Sequence, residues 1–338
     1  MNIHFTQISR RAACFLMIAG MAMPLLAADK PTGFTMEKTS EGLTINHDGK
    51  LFTKYVVKGD SNKPYLWPVM GPTGQAMTRA YPMADIKTEQ QDHPHHRGIW
   101  FGHEGVNGAD TWHEPKSVEG TKNEGMKARG LRMGSTQHRE FKETSVDAKQ
   151  VVIVSVNDYF DVKGKKLMED ERRYTFRVEN GNHIIDCDIE FKATAGDVSL
   201  EDAKDAGFSV RVPTVMSVDK KMGGKILTSE GKVDKDAWGT RATWCSYYGP
   251  LEGEMVGVTM LNHPSSFRHP TPWHVRTYGL LTANPFGTKN LDKNAPDGTI
   301  TLKSGDKLAL RHRVILHKGE PKAAGIEAAY TAYAKEKK

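Results

Sequence analysis

From residue 43 onward, apolar and polar positions alternate with a period of two. Leu43–His47, Leu51–Lys58, Val151–Val162, Arg173–Val178, His183–Phe191, Val256–Leu261, Thr299–Leu302 and Leu308–Leu316 each alternate or run apolar, rich in β-branched and aromatic residues. Such runs predict strands with at least one buried face. Lys163-Gly164, Asn180-Gly181 and Asp297-Gly298 punctuate them as turns, and the stretch Val151–Phe191 predicts three successive antiparallel strands joined by tight turns. Helical spacing appears only after Lys322, where Ile326, Tyr330 and Tyr333 share one face. No repeat and no Gly/Ser/Pro-rich linker divides the chain, so residues 29–338 read as a single domain. The predicted fold class is all-β: a large antiparallel β-sandwich with a C-terminal helix.

Two stretches break the alternation, Gln90–Pro115 and Asn262–Gly287. Dense in His, Trp, Arg, Pro and Gly, they read as loops on the β scaffold, where binding and catalytic groups concentrate. The first 28 residues read as a cleavable signal peptide. Arg10-Arg11 precedes an apolar stretch from Ala12 to Leu26, and Ala27-Ala28 offers a cleavage point. The apolar stretch is shorter than the roughly 20 residues a spanning helix needs. Ser9-Arg10-Arg11 with Phe15-Leu16 is similar to a twin-arginine signal. The expected location is therefore periplasmic or secreted, with no membrane insertion once the leader is removed.

Composition narrows the partners. The formal charge of +6 over 338 residues falls to +4 without Arg10 and Arg11, and the lysines form no block. Nucleic acid is not an expected partner. Cys187 and Cys245 remain beyond the leader; they could form one disulfide or stay as two buried thiols, and Cys187 sits on the apolar face of a strand. Asp170 and Glu171, just after a hairpin turn, read as solvated charges.

Eight of the 13 histidines beyond the leader fall in the two irregular windows. Crowding of that kind brings a fold no stability, so it points to site chemistry. On an extended backbone His93 and His95 would project to one face and His96 to the other. His93, His95 and His103 could then hold a divalent metal such as Zn, Mn or Fe, with open positions. The metal-free alternative assigns acid/base roles to His96, His103 and His269. Arg97, Arg268 and Arg276 would grip substrate oxygens, and Trp100 and Trp273 would stack on a sugar ring. His274 and Asn284 join them as candidate substrate contacts. No nucleophile elbow, P-loop or dinucleotide fingerprint is present.

Asp92-His93-Pro94-His95-His96-Arg97-Gly98-Ile99-Trp100 resembles a motif of a family of secreted bacterial proteins labelled "methane oxygenase PmoA". So do His269-Pro270-Thr271-Pro272-Trp273-His274-Val275-Arg276-x-Tyr278-Gly279-Leu280 and Ala283-Asn284-Pro285-Phe286-Gly287. The true methane monooxygenase subunit is a membrane protein, whereas this chain has no apolar run of spanning length after its leader. What the resemblance implies is a galactose-mutarotase-like β-sandwich and a carbohydrate context. The expectation is an exported protein doing acid/base chemistry on a small carbohydrate or glycoside, as a lyase, epimerase or hydrolase. A His-ligated metalloenzyme and a non-catalytic carbohydrate-binding protein are the alternatives.

Overall fold

The computed structural model describes residues 32–337 together with Met1 and Asn2; the rest of the expected signal peptide lies outside the described residues. In chain order the strands are β1 (Phe34–Lys38), β2 (Gly42–His47), β3 (Lys50–Val56), β4 (Tyr65–Val69), β5 (Ile99–His103), β6 (Ser135–Val146), β7 (Gln150–Phe160), β8 (Lys166–Glu179) and β9 (Asn182–Lys192). They continue as β10 (Val198–Leu200), β11 (Ala206–Arg211), β12 (Lys225–Thr228), β13 (Trp244–Leu251), β14 (Glu254–Asn262), β15 (Trp273–Arg276), β16 (Leu280–Ala283), β17 (Ile300–Leu302) and β18 (Lys307–Lys318). One eight-stranded sheet has the order β1-β2-β3-β4-β5-β11-β16-β15 and the other β12-β13-β14-β18-β9-β8-β7-β6, while β10 and β17 form a small pair. Neighbours run antiparallel, as in β5 with β11 and β18 with β9. The predicted all-β antiparallel sandwich is the observed fold.

Local sequence explains the longest ladder. At the β8–β9 hairpin, Asn180 and Gly181 both take positive φ, 51° and 75°, the two-residue turn whose twist matches the flanking strands. The inner faces of the sheets then meet in one apolar core. Phe52 packs on Phe176 at 6.0 Å and Phe101 on Phe191 at 4.9 Å. Cys187 and Cys245 are buried free thiols, their pKa pushed up by burial. Short helices α1 (Pro115–Val118) and α2 (Glu124–Gly130) form one flap with no buried residue, and α3 (Ile326–Tyr333) closes the chain. Ile326 and Tyr333 of α3 are buried against Trp244, Leu261 and Ile315; this is the helix face expected from the sequence.

Two expectations need correction. The irregular windows are not all loop, since they contain β5, β15 and β16. The described residues of β5 and β16 are buried on both faces, and a strand without a solvated face shows no alternation. Asp170 is not solvated either. It shares strand parity with Met168, Arg172, Tyr174 and Phe176, all buried, and it receives hydrogen bonds from Tyr159 Oη at 2.6 Å and Arg172 Nη2 at 2.8 Å.

The sheet that contains β5 is covered on its outer face too. Tyr55, Leu66, Ile99, Phe101 and Leu281 point into the inter-sheet core, whereas their neighbours Val56, Tyr65, Trp100 and Leu280 join Trp112 in a second apolar cluster. Consecutive residues of a strand face opposite ways, so this second cluster marks the outer face. It is the floor on which the candidate site is built.

Candidate active site

Above that floor lies a cleft of about 320 Å³, lined by His93, His95, His96, His113, Arg129, Lys204, Asp205 and Tyr278 among others. The first histidine window reaches it through a turn. His96 N–H donates to the His93 carbonyl at 3.0 Å, and His93 itself has φ 44°. The extended backbone expected for this segment is therefore absent, and the turn gathers all three imidazoles instead of sending His96 away. Ring centroids separate His113 from His95 by 4.4 Å, His95 from His96 by 4.4 Å, His96 from His93 by 4.8 Å, and His93 from Tyr278 by 4.9 Å. Tyr278 belongs to the second window, so the two windows meet here. They meet again where the Trp112 and His274 rings stack at 6.5 Å.

Each imidazole has a distinct electrostatic setting. His96 is buried on Trp100, and its Nδ1 lies 3.2 Å from Arg211 Nη1. A guanidinium can only donate, so Nδ1 accepts and the neutral ring carries its proton on Nε2. Burial, reinforced by His95 and Arg211, holds the His96 pKa well below its ordinary value. His95 shares a hydrogen bond with Ser117 Oγ at 2.9 Å, and burial beside His113 likewise holds it neutral. His93 Nδ1 lies 2.9 Å from Asp92 Oδ2. Burial alone would raise the Asp92 pKa, but the hydrogen bond to His93 and the charges of Arg211 and Arg79 outweigh it and keep the carboxyl ionised.

His113 is paired differently. Asp110, fully buried, accepts Trp112 N–H at 2.9 Å and His113 N–H at 3.0 Å on Oδ1. Its Oδ2 lies 2.9 Å from His113 Nδ1. Burial pushes this carboxyl up, yet the hydrogen bonds from His113 and Trp112 more than compensate and its pKa is lowered. An ionised carboxylate accepts only, so His113 Nδ1 is the nitrogen that donates to Asp110 and Nε2 is the one left to the cleft. Arg129 Nη1, anchored by Glu104 at 3.0 Å, lies against the ring, 3.1 Å from Nδ1 and 3.4 Å from Nε2. Asp205 holds Lys204 at 2.9 Å and sits 3.9 Å from His274 Nδ1. The result is a neutral donor, a carboxylate-oriented base and two cations around one cleft.

Strand parity decides the rest of the expected residues. His103 stands three positions from Trp100 on β5 and points into the core, where it packs on Phe286 at 4.7 Å and burial depresses its pKa to about 3. The expected trio His93, His95 and His103 is therefore split across the sheet, and no cluster of three metal-ligating side chains occurs among the described residues. Trp100 and Trp273 are fully buried, so neither presents a stacking face; the aromatic wall of the cleft is Tyr278. Arg97 fastens the loop from below, with Nε 2.8 Å from Glu114 and Nη1 2.8 Å from Asp60.

Arg268 donates to the Pro285 and Gly298 carbonyls, and His269 Nε2 pairs with Tyr330 Oη at 3.1 Å beside α3. Both lie outside the set of cleft-lining residues. Asn284 spends its amide on the carbonyls of Ala203 and Lys204 and accepts the amides of Phe286 and Gly287. It thereby positions the segment that carries Asp205. His274 lies buried behind Asp205, its pKa lowered by burial to about 4, and Arg276 stands exposed at the rim with its guanidinium 5.7 Å over the Tyr278 ring.

Asp110, His113, Arg129, Asp205 and Tyr278 were not singled out by sequence reasoning. The legible signal was the Asp110-x-x-His113 spacing, which a turn closes into one hydrogen-bonded pair.

No curated protein matches this chain. Among solved structures it is similar to a putative aldose 1-epimerase from Escherichia coli K12, at 10% identity and a TM-score of 0.38, covering 85% of this chain and 100% of that one. It is also similar to a polysaccharide lyase, at 13% identity and a TM-score of 0.30, covering 85% of this chain and 33% of that one. A third likeness is to the galactosidase domain of an alpha-galactosidase-sucrose kinase, at 11% identity and a TM-score of 0.34, covering 85% of this chain and 39% of that one. The methane-oxygenase label occurs in none of these descriptions. A model described as Family of unknown function (DUF6807) matches residues 42–331, which take in both large sheets' central strands and the whole cleft, and the chain belongs to that family.

Proposed function

We propose that this protein is an exported carbohydrate-active enzyme that moves a proton on a sugar or glycoside, as a lyase, epimerase or hydrolase of galactose-mutarotase-like fold. Export rests on the leader-like first 28 residues. The observation that carries the chemistry is the Asp110–His113 pair facing the neutral imidazoles of His95 and His96 across one cleft.

His113 Nε2 takes the proton from a substrate O–H or C–H, and Asp110 stabilises the imidazolium that forms. The same imidazolium returns the proton to another substrate atom, so the enzyme ends unchanged. His96 Nε2–H donates a hydrogen bond to the oxygen on which charge develops; a neutral imidazole in a buried site does this without reorganising. Arg129 and Lys204 steady the same charge. Tyr278, its pKa raised by burial to about 12, stays protonated and offers a ring face to the sugar.

The test is turnover on a panel of free aldoses and glycosides, followed by proton NMR. His113→Asn and His96→Gln should each lower kcat by roughly 10²–10⁴-fold, the usual range for a positioned acid or base, with sugar affinity changed only a few-fold. Activity equal to wild type in His113→Asn would overturn the reading. Sugar binding with no turnover anywhere in the panel would favour a binding protein.

A further inference from the structure

A second cleft, of about 260 Å³, opens beside the first and is lined by Lys235, Trp238, Val275, Arg276 and Thr277. It forms where the turn Asp234–Ala237 meets β15, the edge strand of its sheet. Arg276 has the same parity on β15 as His274, so it stands on the outer face with the first cleft. Its guanidinium lies over Tyr278, whose ring also meets Arg211 at 4.6 Å and His93 at 4.9 Å. Tyr278 lines the first cleft and its neighbours Arg276 and Thr277 line the second, so a ligand longer than one sugar ring would run from one into the other.

The charges differ between them. In the first cleft Arg129 is matched by Glu104 at 3.0 Å and Lys204 by Asp205 at 2.9 Å. In the second, Arg276 and Lys235 are exposed, and neither makes an ion pair or a side-chain hydrogen bond among the described residues. Asp234, next to Lys235, is turned to the amide of Ile226 at 2.9 Å. Trp238 is half-buried on the cleft wall, and its buried Nε1–H has no hydrogen-bond partner. Two unmatched cations and an aromatic face form a site for a ring that carries an oxyanion.

We propose that this second cleft is a subsite for an acidic sugar unit, bearing a carboxylate or a sulfate ester, adjoining the unit on which the first cleft acts. Arg276 grips the oxyanion, Lys235 adds charge, and the sugar ring lies on Trp238. The inference rests on the carbohydrate reading of the first cleft and names the substrate class as anionic oligosaccharide.

Calorimetric titration with methyl glucuronide, glucose 6-sulfate and neutral methyl glucoside tests it. Wild type should bind at least one anionic sugar about ten- to a hundredfold more tightly than the neutral one, the range for one charge-assisted contact. Which of the two is preferred distinguishes carboxylate from sulfate. That preference should vanish in Arg276→Gln, shrink in Lys235→Gln, and persist in His113→Asn. Both cations are exposed and unpaired, so these variants should melt with wild type. No preference in wild type, or a preference that survives Arg276→Gln, overturns the subsite. Anionic preference together with full activity in His113→Asn would leave the subsite standing and sink the catalytic assignment alone. Loss of turnover in His113→Asn without any anionic preference would do the reverse.

Discussion

Replacing Asp110 with asparagine isolates the tautomer of His113 from everything else the site does. Asparagine keeps an oxygen where Oδ1 accepts the amides of Trp112 and His113 at 2.9 and 3.0 Å, so the turn retains its backbone bonds. It places an NH₂ where Oδ2 faced His113 Nδ1 at 2.9 Å. That nitrogen must then accept, the ring proton moves to Nε2, and the base loses its lone pair. A hydrogen bond to a charged group contributes about 1.5–3 kcal/mol, so stability should fall by that order and the protein should still fold. Turnover should fall far more. A misplaced base forfeits roughly 10²–10⁴ in rate, equivalent to about 2.7–5.5 kcal/mol of barrier. Chemical denaturation and turnover on the same preparation separate the two effects. Turnover within about threefold of wild type, at any stability, would refute the assigned role of Asp110.

The buried histidines predict acid lability. Burial depresses His103 and His312 to about 3 and His274 and His317 to about 4. Unfolded histidine titrates near 6.5, so between these values the unfolded chain binds more protons. The stabilisation is therefore complete above about pH 6.5 and is lost as pH falls. Four such groups together cost on the order of 5 kcal/mol between pH 6 and 5, before carboxylates begin to titrate. A melting temperature that stays flat from pH 7 to 5 would contradict this. Asn284→Ala should cost at least about 3 kcal/mol in denaturant, because it orphans buried amides and carbonyls of two loops; a loss below 1 kcal/mol would show that those loops hold themselves.

Period-two reading found the long strands from runs that keep one face apolar, such as Val151 and Ile153 on β7, Tyr174 and Phe176 on β8, and Ile185, Cys187, Ile189 and Phe191 on β9. It failed at β5, where Trp100 and Phe101 are both buried on opposite sides of a doubly covered sheet. The same parity, carried through His103, would have placed that residue in the core and away from His95. Asp170 misled for a related reason: charge was read from neighbours in sequence, when Tyr174 and Phe176 on the same parity already marked its face as the core. The site was legible as a density of histidines in two windows and not as roles. Roles depend on which nitrogen each ring protonates, and that is set by partners such as Arg211, more than a hundred residues from His96.

Central to this account is a cleft in which one imidazole accepts a proton while a neutral one donates a hydrogen bond. Long-range nitrogen–proton NMR of the free protein at pH 7 reads both directly. His113 should appear as the tautomer protonated at Nδ1, with Nε2 bare, and His96 as the opposite tautomer, protonated at Nε2. A doubly protonated His96, or a His113 protonated at Nε2, would contradict the assignment.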